Sequence, residues 1–63
     1  VSAYILECSD ARGWRWLRYM LANYPAKYGR LTPDLRWVPP CAPDAPHLAE
    51  LLSAAGCVRC ELA

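Results

Sequence analysis

Cys8, Cys41, Cys57 and Cys60 are the residues of this 63-residue chain with the most chemistry to offer. Thiolates hold zinc, paired thiols oxidise to disulfides, and thiols left alone pack as small hydrophobes. Cys57-Val58-Arg59-Cys60 has the two-residue spacing with which two thiolates of a tight turn reach one metal. Cys8 and Cys41 stand alone, so a four-ligand zinc needs both of them, or His47 in place of one. Four cysteines also allow three disulfide pairings, of which Cys8–Cys60 across neighbouring strands is sterically reasonable. Redox catalysis by Cys57 and Cys60 is disfavoured. A reactive CxxC pair opens a helix whose N-terminus lowers the thiol pKa, and only Glu61-Leu62-Ala63 follows here.

The second chemical feature is a row of Arg12, Arg15, Arg18 and Tyr19. Residues 8–40 carry six cations against two carboxylates, a local charge of +4, whereas residues 41–63 carry one against three, a charge of −2. The net charge of +1 is well below that of a dedicated nucleic-acid binder. Arginine, tryptophan and tyrosine are the anchors of protein interfaces. Three Trp and four Tyr are more ring surface than 63 residues readily bury, since each brings an N–H or O–H that needs a partner. Trp16 and Trp37 are the indoles expected at the surface, and Arg12, Arg15, Trp16, Tyr19 and Trp37 form the expected contact set for a partner protein.

Other chemistry finds no support. The chain has no G-x-S-x-G, H-E-x-x-H or EF-hand pattern, and its three scattered glycines build no phosphate loop. His47 has no nucleophile at a spacing that pairs them, and Asp34 and Glu50 are not spaced as a carboxylate pair. A unit this short rarely walls in a catalytic cleft. At 56% hydrophobic and 21% charged, the chain is too apolar for a disordered tail. No apolar run approaches the ~20 residues that span a bilayer. A charged segment followed by an apolar leader is also not expected.

These residues must be positioned by a single small domain over 1–63. Val1 to Cys8 has the β-propensity of a strand. Ser9 and Asp10 supply a helix start for 10–23. On a wheel of about 100° per residue, Trp14, Trp16, Leu17, Met20, Leu21 and Tyr24 share one arc, with Arg12, Arg15, Arg18 and Tyr19 opposite. Pro25 stops this helix, and one further turn closes at Gly29. Leu35 to Val38 is extended. A stiff proline loop holds Cys41, a short helix begins at Pro46 and ends at Gly56, and Cys57 to Leu62 alternates as a strand.

The expected class is therefore α/β or α+β, a β-α-β-α-β unit with a three-stranded sheet, one long helix and one short helix. An all-α, cysteine-stapled fold is the alternative. In an all-parallel sheet Cys57 would start its strand about 15 Å from Cys8 and Cys41, the length of the intervening helix, beyond the reach of one zinc. A four-cysteine site needs the last strand to run antiparallel, or the helix to fold back. The expected function is a non-enzymatic module that docks onto another protein chain. The alternatives are a zinc-stabilised nucleic-acid binder with Cys8, Cys41, Cys57 and Cys60 as ligands, and a secreted disulfide-stapled effector.

Overall fold

The computed structural model describes residues 2–63, so the expected strand at Val1 to Cys8 is described from its second residue and Val1 lies outside. The chain runs β1 (Tyr4–Cys8), α1 (Ala11–Asn23), α2 (Pro25–Tyr28), β2 (Arg30–Leu31), β3 (Trp37–Val38), α3 (Pro46–Ala54) and β4 (Cys57–Leu62). The fold is α+β. Its sheet has four strands, in the order β2-β3-β1-β4, and every pairing is antiparallel.

The three-stranded, two-helix expectation is thus corrected on two counts. The turn after Pro25 is a helix in its own right, and Arg30–Leu31 adds a strand. A two-residue strand is too short to show a period of two. Its evidence is the pairing of Arg30 with Val38 and Leu31 with Trp37, which closes a hairpin through the Thr32 N–H bond to the Arg36 carbonyl. Leu35 lies in the bend of this hairpin at φ 63°, not in the extended segment its type suggests.

The helix α1 is capped by Asp10, whose carboxylate accepts the Gly13 N–H at 2.8 Å; Ser9, the other candidate, instead donates its own N–H to Gly56. Only Leu17 and Leu21 of its apolar arc are fully buried, and Trp14 and Met20 pack half-buried beside them. Leu48 and Leu51 come from α3 and Ala55 from its C-terminal cap, and Trp37 completes the core.

Gly13 explains a weak point of the α1 sequence. A glycine in a helix costs about 1 kcal/mol relative to alanine. Here the first turn of α1 passes so close to the end of α3 that a Cβ on Gly13 would collide with the Ala55 carbonyl oxygen. The missing side chain is what lets the two helices meet. At Gly29 the requirement is conformational: its φ of 94° turns the chain from α2 into β2, hard against the Val38 carbonyl. Replacing Gly13 by Ala should therefore lower stability by about 1–3 kcal/mol, against the sign of helix propensity. A urea denaturation series compares the two chains, and a gain in stability for Gly13→Ala would refute this packing.

Candidate functional site

The antiparallel sheet settles where the cysteines go. Cys8 ends β1 and Cys57 begins its neighbour β4, so the two ends meet. The ladder pairs Tyr4 with Leu62, Leu6 with Cys60 and Glu7 with Arg59, then slips by one residue so that Cys8 faces Cys57. That slip is a bulge, two residues of β4 opposing one of β1. It brings the Cys8 and Cys57 Sγ atoms to 3.1 Å, both as free thiols sharing a hydrogen bond. The cross-strand neighbour of Cys8 is therefore Cys57 and not Cys60, whose partner is Leu6. An alternating strand without the bulge would have set Val58 there.

Cys41 sits exposed in the proline loop and Cys60 exposed on β4. Among the described residues, no group of three or more His, Cys, Asp or Glu side chains is placed to hold a metal ion. The structure thus brings together two of the four residues offered as zinc ligands.

Burial, with the Cys8 hydrogen bond adding to it, pushes the Cys57 thiol up to about 12 from its ordinary value near 9. Cys60, exposed as a residue, is raised as well, by the partial desolvation of its thiol. A group with a raised folded-state pKa keeps its proton where the unfolded chain has lost it. Its contribution to stability is complete below pH 9 and is lost as pH rises towards 12. Urea midpoints should accordingly fall between about pH 8 and about pH 10.5, and fall less in Cys57→Ala. Equal falls in the two chains would show that Cys57 carries no such linkage.

The arginine row lies on the outer face of α1. Tyr19 is 61% exposed and Trp16 39% exposed, and Arg12, Arg15 and Arg18 are exposed around them. Arg12, Arg15, Trp16 and Tyr19 line a shallow hollow of about 370 Å³. On the other side of Arg15 and Tyr19, a groove of about 670 Å³ is lined by Arg15, Arg18, Ala22, Pro25 and Arg30, with Leu21 and Leu31 contributing apolar surface. Neither lining includes a carboxylate. Among the described residues the ion pairs join Arg36 to Asp34 and Arg59 to Glu7 and Glu61, so Arg12, Arg15, Arg18 and Arg30 make none.

Four of the five expected contact residues, Arg12, Arg15, Trp16 and Tyr19, come together on this face. Trp37 does not. It is wholly buried, its Nε1–H donates to the Tyr28 carbonyl at 2.8 Å, and its ring packs 6.1 Å from that of Tyr4. Its side chain stands on the sheet face that Leu17, Leu21, Leu48, Leu51 and Ala55 cover, which is why the exposure expected for Trp37 fails. Arg18 and Arg30 join the face beyond the expected set. Arg18 lies on the polar arc with Arg15, as the helical wheel places it, although the expected contact set omits it. Arg30 arrives from β2, and no local pattern announces that.

No protein-family model, curated protein or solved structure matches this chain. No described helix is long and apolar enough to cross a membrane.

Proposed function

We propose that this chain is a non-enzymatic docking module whose outer α1 face takes an acidic segment of another protein. The supporting observation is the joint lining of two adjoining hollows by Arg12, Arg15, Arg18 and Arg30 around Trp16 and Tyr19. Four guanidinium groups without carboxylate partners among the described residues supply charge-assisted hydrogen bonds to a polyanionic strand. The two exposed rings, with the Leu21 and Leu31 surface between the arginines, receive an apolar side chain of that strand. Arginine and aromatic anchors around a partly dry hollow are the arrangement from which interfaces draw most of their energy. The two exposed rings beside the arginines favour this face over a merely solvated cationic one.

The roles divide by chemistry. Arg15 borders both hollows and would act as the central clamp. Trp16 and Tyr19 would supply contact area at little conformational cost, because each has few rotatable bonds. Arg12, Arg18 and Arg30 would set register along the acidic strand and speed its approach.

A synthetic peptide rich in Asp and Glu with one central Leu serves as the probe. On titration, NMR shifts should concentrate on Arg12, Arg15, Trp16, Arg18 and Tyr19, and Arg15→Glu should weaken binding at least about tenfold, or ~1.4 kcal/mol. Shifts centred elsewhere would overturn the assignment. Tighter binding of a single-stranded oligonucleotide of equal charge at the same residues would replace the protein partner by a nucleic acid.

A further inference from the structure

The sheet ends at β4, a six-residue strand paired on one side only, to β1. The opposite edge is β2, two residues long and offering almost no ladder. The Ala63 N–H donates to the Ala3 carbonyl at 2.9 Å. In an antiparallel ladder, alternate residues turn both backbone groups to the same neighbour. Ala63, Glu61 and Arg59 therefore face β1, while Leu62 and Cys60 turn their N–H and C=O groups to the open edge. Val58 and Leu62 are 70% and 64% exposed, and Cys60 lies exposed between them. Proteins ordinarily blunt such an edge.

The charges on this edge would protect it against most partners, but they are complementary to themselves. We infer that β4 pairs antiparallel with β4 of a second copy of this chain, about a two-fold axis through Cys60, to make one continuous sheet. In that register Arg59 of each copy lies opposite Glu61 of the other, Val58 lies opposite Leu62, and Cys60 meets its own counterpart. Sliding by two residues sets Arg59 against Arg59 in one direction and Glu61 against Glu61 in the other. Both place like charges directly opposite, which destabilises a pair. A slip of one residue sets outward-facing backbone groups against inward-facing ones and breaks the ladder. Among the registers that pair most of the strand, one therefore remains, since larger slips shorten the ladder.

Within its own chain Arg59 reaches Glu61 at 2.8 Å and Glu7 at 3.6 Å. Its five N–H donors leave capacity for a further carboxylate across the dyad. The apolar residues reinforce the choice. Cys60 and Leu62 share the sheet face of their ladder partners Leu6 and Tyr4, which pack on the core. A two-fold axis perpendicular to the sheet keeps that face common to both copies, so their exposed apolar residues become one strip.

The test is sedimentation equilibrium of the whole chain, with circular dichroism to confirm that each variant is folded. The wild type should show a reversible dimer at twice the 7.1 kDa chain mass. Arg59→Glu alone and Glu61→Arg alone should each weaken dimerisation at least about tenfold, by placing like charges across the dyad. Mixed together, these two variants should recover it, because each then meets its complement. The double exchange Arg59→Glu/Glu61→Arg should dimerise as the wild type does. A wild type that stays monomeric, a dimer indifferent to both single reversals, or a mixture no better than its components would each overturn the inference.

Discussion

An indole N–H removed from water needs an acceptor, and for Trp37 that acceptor is the Tyr28 carbonyl, 2.8 Å from Nε1. Much of the fold is arranged around this bond. It ties β3 to the last residue of α2, so the chain must turn back at once, and Gly29 makes the turn. The same ring meets Tyr4 of β1, its ladder partner, and thereby sets the centre of the sheet. Leu17, Leu21, Leu48, Leu51 and Ala55 then close over it from the helices. Truncating a buried aromatic ring costs about 3–5 kcal/mol, a large part of the stability of so small a chain.

This single burial also accounts for the surface. One Trp is enclosed and one is half-buried, which leaves Trp16, Tyr19 and Tyr24 outside with the arginines. The ring surplus visible in the composition is thus divided between a core that encloses Trp37, with Trp14, Tyr4 and Tyr28 packed half-buried against it, and the exposed rings Trp16, Tyr19 and Tyr24. The arginine row and the edge strand β4 are separate elements of one small molecule. The first is unpaired in charge, and the second is unpaired in backbone hydrogen bonds on one side.

The helices were legible in the sequence because their signals are local. Pro25, Pro46, Gly29 and Gly56 mark ends, and the 3.6-residue period of Leu17 and Leu21 marks the buried side. The sheet was less so. Strand direction depends on which distant segments pair, and β2 and β3 are two residues each, too short to carry a period. The bulge that selects Cys57 as the neighbour of Cys8 interrupts an otherwise regular alternation, so a regular reading of β4 misses it. Trp37 was misplaced for the same reason: its surroundings are built from β1, β2 and α2, none of which its own neighbours in sequence specify. Most of the α1 face was legible as the complement of the core arc, whereas Arg30 depends on the return of the chain through β2.

Hydrogen exchange at the three indole N–H groups, followed by NMR, tests the central role of Trp37 most directly. A bond opened only by global unfolding exchanges with the slowest core amides. The Trp37 indole proton should exchange on the timescale of the Leu17 and Leu21 amides, while that of exposed Trp16 is lost at once. A Trp37 proton that exchanges as fast as that of Trp16 would contradict the account.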